Sequence, residues 1–372
     1  MKRLIAGGLL AALEDYFEGR EKGKGETHLF ACPVCGAKLD PEVAKGNFCP
    51  YCGANINGEP QKFINGEPQK LNEFIDQIKA KIKCEMAMTL AYDQQPIPTL
   101  PHVLITGNAG TGKTTLAKIL ANEMKTKILA VTANNLCEPY DFTKLIVKAW
   151  EVPIKITPNT VAPIIFIDEI HALKAKIQES LYAPLAEGMI ETPRGRHEAP
   201  PFSLIAATTQ GGRLSIPLLT RFQITITLEP YNIADIALIL EKRAQAWGME
   251  ITHEKAWEIA KRSRLTPRIA INHMRMASTL GFDLEKYFAI EEIDEEGLGV
   301  QDRRILTALY NAKRPCSLEA IATMTNINQT EIEAFWEPYL VQKQLIALTA
   351  QGRAITDQGI KYLKSILQPR KP

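Results

Sequence analysis

Three short runs of consecutive apolar residues mark the middle of the chain: Val103-Leu104-Ile105 behind His102, Ile164-Ile165-Phe166-Ile167, and Leu204-Ile205-Ala206-Ala207 behind Ser203. Runs of this length without polar alternation predict strands buried on both faces, as in a parallel sheet between helices. Beyond residue 300 the period changes. Ile305, Leu306 and Leu309 fall on one helical stripe, Ser317 precedes a second carrying Leu318 and Ile321, and Thr330-Glu331-Ile332-Glu333 reads as a capping box opening a third. Leu345-Ile346-Ala347-Leu348 and Ala354-Ile355-Thr356 then read as two strands around Ala350-Gln351-Gly352-Arg353. Three helices and a hairpin predict a winged helix.

The first apolar stretch, Leu4 to Leu13 behind Met1-Lys2-Arg3, has the outline of a secretory signal. It is shorter than the roughly 20 residues a bilayer span needs and runs straight into Glu14, Asp15 and Glu18. It is therefore read as a short helix ending near Gly19, and no other segment approaches membrane length. Ile56-Asn57-Gly58-Glu59-Pro60-Gln61-Lys62 recurs as Ile64-Asn65-Gly66-Glu67-Pro68-Gln69-Lys70. Its Asn-Gly and Glu-Pro steps are turn chemistry, so residues 56–70 are expected to be a linker.

Composition adds bounds. At 372 residues the chain has room for two to three domains of roughly 150 residues. With 45% apolar and 23% charged residues it is ordinary globular protein. Lysine plus arginine (44) nearly balances aspartate plus glutamate (42), so any nucleic acid must be held by local patches rather than a global field.

Four of the seven cysteines form two copies of one motif, Cys32-Pro33-Val34-Cys35-Gly36 and Cys49-Pro50-Tyr51-Cys52-Gly53. Cys-x-x-Cys lets two thiolates grip one ion from one turn, and four thiolates close a tetrahedral structural zinc site. The competing reading is two disulfides or a redox pair, which a reducing compartment disfavours. Cys84, Cys137 and Cys316 are read as packing residues.

The first buried strand runs into Gly107-Asn108-Ala109-Gly110-Thr111-Gly112-Lys113-Thr114-Thr115 and then a helical pattern. This is a Walker A motif in its strand–loop–helix setting. Its backbone N–H groups are expected to wrap phosphates, Lys113 to reach the β- and γ-phosphates and Thr114 to ligate Mg²⁺. The second strand ends in Asp168-Glu169, where Asp168 would hold Mg²⁺ and Glu169 polarise the attacking water. The third ends in Thr208-Thr209-Gln210, with Thr209 the first and Thr208 the second choice for sensing the γ-phosphate. Arg221 follows that strand and could reach a neighbour's nucleotide, a surface ion pair being the alternative. Arg268, after Thr266-Pro267, opens a helix as a second phosphate sensor.

These motifs, in this order, resemble the AAA+ ATPases, and from about Leu71 to Leu363 they resemble the RuvB family of Holliday-junction branch-migration motors. Leu71 to Gln77 is similar to that family's adenine-pocket opening, which implies nucleotide contacts at Phe74 and Ile75. Ile167 to Leu173 resembles its Walker B run and Arg262 to Arg268 its sensor-2 segment, with Leu265 where glycine is usual. Glu337 to Leu340 and Gly352-Arg353 resemble its winged helix. The resemblance implies an α/β P-loop AAA+ core (71–229), a small helical lid (230–294) and a winged helix (295–372), behind an extension (1–27) and a zinc ribbon (28–55). It implies a cytoplasmic, homo-hexameric ring motor using ATP and Mg²⁺ on duplex or branched DNA, with Arg353 on the wing touching DNA. Two departures stand out. Gln351 replaces a common wing arginine, and the stretch where the family docks its partner RuvA, residues 190–200, is polar. With the ribbon, these leave a second reading open: an ATP-dependent loader recruited through a different protein partner.

Overall fold

The computed structural model describes residues 30–31, 38–39, 67–93, 96–151, 160–192 and 195–367. Two compact units result. The first ends at Pro230 and also takes Gln245–Gly248; the second comprises Tyr231–Ala244 and the chain from Met249.

Upstream, only β1 (Phe30–Ala31) and β2 (Lys38–Leu39) are described, an antiparallel pair with Phe30 opposite Leu39. Cys32, Cys35, Cys49 and Cys52 lie outside the described residues, as do the N-terminal helix expected to stop near Gly19 and most of the repeat.

The first unit is built on a five-stranded parallel sheet in the order β4-β5-β8-β3-β9. Its strands are β3 (Val103–Thr106), β4 (Ile128–Thr132), β5 (Ile164–Asp168), β8 (Ser203–Thr208) and β9 (Ile224–Thr227). The three runs singled out above are its three central strands. Their residues alternate strictly between two cores. Val103, Ile105, Ile164, Phe166, Ile205 and Ala207 face helices α1 (Ile78–Tyr92) and α2 (Lys113–Glu123). Leu104, Ile165, Ile167, Leu204 and Ala206 face α3 (Pro139–Glu151) and the short helices α4 (Ala175–Ser180) and α5 (Tyr182–Glu187). Burial on both faces is why these strands read as unbroken apolar runs. The polar residues Thr106, Asp168 and Thr208 end their strands along the C-terminal edge of this parallel sheet, where such folds bind ligands. A hairpin of β6 (Met189–Thr192) and β7 (Gly195–Glu198) follows α5, and α6 (Ile216–Leu219) precedes β9.

The second unit starts with α7 (Ile233–Ala246), α8 (His253–Lys261), α9 (Pro267–Ser278) and α10 (Leu284–Ile290). It continues with α11 (Val300–Ala312), α12 (Leu318–Thr325), α13 (Gln329–Glu331), a π turn over Ile332–Trp336, α14 (Glu337–Gln342), strands β10 (Ile346–Thr349) and β11 (Gly352–Ile355), and α15 (Asp357–Leu367). Ile305, Leu306, Leu309 and Ile321 are buried in one cluster, as their stripe required. One cap differs from expectation. Asn328, not Thr330, opens the third helix, its side chain accepting from both the N–H and the hydroxyl of Thr330. At the wing, Gly352 holds φ +126°, and a Cβ there would lie 2.3 Å from the Cys316 carbonyl oxygen, so only glycine fits. No helix among the described residues is long and apolar enough to cross a membrane.

His102, at the entrance to β3, is buried against the ring of Phe202, and its Nδ1 accepts the N–H of Leu204 at 3.1 Å. Burial pulls its pKa from 6.5 down to about 4. The unfolded chain therefore binds a proton that the folded chain refuses, and stability drops as pH falls from about 6.5 toward 4. At pH 5 the loss from this one group is about 2 kcal/mol. His102→Gln keeps an acceptor for Leu204 and removes the titration, so its urea midpoint should vary less between pH 7 and pH 5 than that of the parent chain. An unchanged pH slope would assign the acid sensitivity elsewhere.

Candidate active site

The loop after β3 carries Gly107, Gly110 and Gly112 at φ +150°, +79° and +102°. At Gly107 the constraint is also steric, since a Cβ would meet the Leu228 carbonyl oxygen at 2.8 Å. Asn108 and Ala109 are exposed at the rim, and Thr111 ties the loop down by donating to the Asn108 carbonyl at 2.9 Å. Lys113 is buried, and its ammonium lies 2.9 Å from the Gly107 carbonyl and 3.0 Å from that of Asn108, inside the curl of the loop. Lys113 and Thr114 begin α2, so the positive end of that helix points into the same curl.

The acidic pair stands beside it. Thr114 Oγ1 donates to Asp168 Oδ2 at 3.3 Å across the β3–β5 gap, joining the two groups expected to share Mg²⁺. A hydroxyl and a carboxylate meeting at the mouth of a phosphate loop are hard oxygen donors suited to that ion. Glu169 leaves the strand at φ +50°, which turns its side chain toward β8. There Oε2 accepts the backbone N–H of Thr209 at 3.1 Å and its hydroxyl at 3.0 Å. The structure thus brings together Lys113, Thr114, Asp168, Glu169 and Thr209. Thr208 is fully buried and serves a different end: its hydroxyl accepts from Gln210 N and lies 3.0 Å from Nδ1 of His171.

His171 is the residue that motif reading passed over. Its Nδ1 is also 3.1 Å from Glu169 Oε2, so the ring braces the Glu169 carboxylate against β8. The available signal was its position two residues beyond the acidic pair, on a short turn that must fold back under it.

The remaining candidates are placed less directly. Phe74 is packed into the core beside α2, while Ile75 is half-buried. Arg221 caps α6 by donating to the Pro217 carbonyl (3.0 Å) and the Thr220 hydroxyl (3.1 Å), with its guanidinium 5.3 Å from the centre of the Tyr182 ring. Arg268 lies exposed in the first turn of α9, in the second unit. Arg353 does not point outward from the wing. Its Nε and Nη2 grip the two carboxylate oxygens of buried Glu337 at 2.6 and 3.2 Å, and its backbone pairs with Cys316. That pair holds the wing to α14, and a DNA contact by Arg353 would require it to open. The helical run from Gln329 to Gln342 carries no lysine or arginine, and its exposed face shows Glu331, Glu333 and Phe335. Such a face repels phosphate.

Comparison with known proteins agrees with this layout. Residues 67–228 match the family model of the Holliday junction DNA helicase RuvB P-loop domain, residues 231–278 that of the RuvB AAA lid domain, and residues 295–364 that of the RuvB C-terminal winged helix domain. The Holliday junction branch migration complex subunit RuvB of Thermotoga maritima is 33% identical over 314 residues, spanning 79% of this chain and 90% of that protein. The same subunit of Streptococcus equi subsp. equi is 32% identical over 315 residues, with the same coverage of both chains. The solved Thermotoga maritima RuvB motor superposes with a TM-score of 0.68 at 32% identity, covering 80% of this chain and 98% of that one.

Proposed function

This chain belongs to the RuvB family of AAA+ ATPases, and on that premise we propose that it acts as a ring of identical subunits, a homo-hexamer, that hydrolyses ATP to drive branch migration of four-way DNA junctions. The observation that carries this reading is the joining of Lys113, Thr114–Asp168 and Glu169–Thr209 at one sheet edge, in a chain that also ends in a winged helix. Lys113 is assigned to the β- and γ-phosphates. Mg²⁺ held by Thr114 and Asp168 would neutralise charge on the phosphate oxygens. Glu169 takes the proton of the attacking water, Thr209 aligns it with the γ-phosphate, and Arg268 reports nucleotide from the lid. Arg221 serves the site of the next subunit.

DNA contact is proposed for exposed Lys313 and Arg314, which lead into Cys316 and so run beside the wing strand, rather than for the acidic helix face. Cys32, Cys35, Cys49 and Cys52 are proposed to hold a structural Zn²⁺. The two Cys-Pro-x-Cys-Gly copies, thirteen residues apart, support this as a four-thiolate set. The resulting ribbon, together with the polar hairpin β6–β7, where Arg196 pairs with Glu187, is proposed to meet a partner unlike RuvA.

The test is ATP turnover by the full chain with and without a synthetic four-way junction, scored alongside migration of that junction. Turnover should rise with DNA, and migration should require hydrolysable ATP. Turnover without migration or translocation under any assembly condition would overturn the motor and leave the loader.

A further inference from the structure

Helix α1 is apolar on two opposite faces. Ala80, Cys84, Ala87 and Ala91 are buried in the core under the sheet. On the other side Ile78, Ile82, Met86 and Leu90, each four residues from the last and so stacked turn on turn, are 67%, 51%, 57% and 47% exposed. A helix that is apolar all round is normally covered on both sides, and a continuous apolar row in water marks a contact surface. The described residues leave this row uncovered. The helix also lacks the charges that complement a helix dipole: its first turn carries no acidic residue and its last turn no basic one. Exposed Lys79 and Lys83 flank the row near its start, and exposed Asp93 caps its end. Both lysines lean toward the edge of the sheet, Lys83 donating to the Thr225 carbonyl at 2.6 Å and Lys79 lying 3.4 Å from Glu229.

We propose that residues 4–17 of the same chain dock on this row as an antiparallel helix. Ile5, Leu9, Leu13 and Phe17 repeat its four-residue spacing, with Leu10 and Tyr16 beside them. Laid antiparallel, Phe17 meets Ile78 and Ile5 meets Leu90. Glu14 and Glu18 then fall by Lys79, Lys83 and the positive end of α1, and Lys2 and Arg3 fall by Asp93 and its negative end. A parallel arrangement would set like charges together at both ends. The chain also reaches the ATPase unit on this side. Glu67 pairs with Lys118 of α2 at 3.3 Å, Leu71 N–H donates to Glu123 at 3.0 Å, and Leu71 and Phe74 share the core that α1 packs on. Residues 67–77 then lead directly into α1, so residues 18–66 need only bridge back along that helix, about 22 Å. Docking fastens the extension to the ATPase unit at both ends. A partner gripped between residues 18 and 66 is thereby held at that unit, whether the chain works as a motor or as a loader.

A short helix carrying Gly7 and Gly8 is marginal alone, so slow amide exchange in it reports the dock rather than intrinsic helicity. In the full chain, exchange over residues 5–17 should be at least about tenfold slower than in an unstructured chain. Ile82→Asp combined with Met86→Asp places two charges on an exposed row. It should leave ATP turnover within about twofold of the parent while returning that exchange to within about threefold of the unstructured rate. A second measurement identifies the occupant. Met86→p-benzoylphenylalanine is photo-cross-linked in an equal mixture of ¹⁴N and ¹⁵N chains, and the joined peptides are sequenced by mass spectrometry. Cross-links to residues 4–18 in which both peptides carry one label support the proposal. Mixed-label pairs would hand the row to a second copy and overturn it. Cross-links to any other segment, unprotected amides in the parent, or protection that survives the double substitution would overturn it as well.

Discussion

Glu169→Gln should cut kcat by about 10²–10⁴-fold, the usual worth of a positioned general base, while ATP still binds. The geometry predicts a clean separation. Glutamine keeps the size of the side chain and an oxygen to accept Thr209 N–H, so the sensor strand need not move. It cannot take a proton from water. Lys113, Thr114 and Asp168, to which the phosphates and Mg²⁺ are assigned, are held by the loop carbonyls, the Thr114–Asp168 bond and the Glu169 backbone N–H, which the substitution leaves in place. A single-turnover assay with equilibrium ATP binding measures both quantities. A kcat within tenfold of the parent would place the base elsewhere. The same variant divides the two functional readings. A motor without hydrolysis moves nothing, whereas a loader locked with ATP should keep its biological activity.

The phosphate loop and its three strands were legible because burial on both faces leaves a one-dimensional trace: unbroken apolar runs such as Ile164–Ile167, each ending in polar residues. The order of those strands left no such trace. β8 enters between β3 and β5 although more than thirty residues separate it from β5, and it is this insertion that brings Thr209 onto Glu169. His171 was illegible for the same reason, since its partner Thr208 comes from a different strand. Arg353 shows the opposite failure. A basic residue beside a wing glycine reads as a phosphate contact until Glu337, sixteen positions away, is seen to occupy it. Leu265 stands where its family favours glycine, and the structure shows two adjacent left-handed residues there, Arg264 and Leu265, with the Arg264 guanidinium paired to buried Asp302.

Arg221→Ala should lower kcat by about 10³–10⁵-fold in the assembled state, comparable to losing an arginine that stabilises a phosphoryl-transfer transition state. Within its own chain the guanidinium is occupied only weakly. Its partners are a carbonyl, a hydroxyl and the face of Tyr182, all neutral, and its Nε is buried with no partner. A phosphate anion presented by an adjacent subunit makes charge-assisted bonds roughly twice as strong as neutral ones, so the exchange is favourable once subunits meet. Ile216, at the start of the helix that Arg221 caps, is exposed and offers an apolar surface beside it. The decisive measurement mixes two inactive chains, Arg221→Ala, which keeps Lys113, and Lys113→Ala, which keeps Arg221. If the arginine works across the interface, an Arg221→Ala site beside a Lys113→Ala neighbour is complete. Random head-to-tail mixing in equal parts should then restore roughly a quarter of the parent turnover. If Arg221 serves its own chain, every site in the mixture still lacks one group and turnover stays at the level of the separate variants.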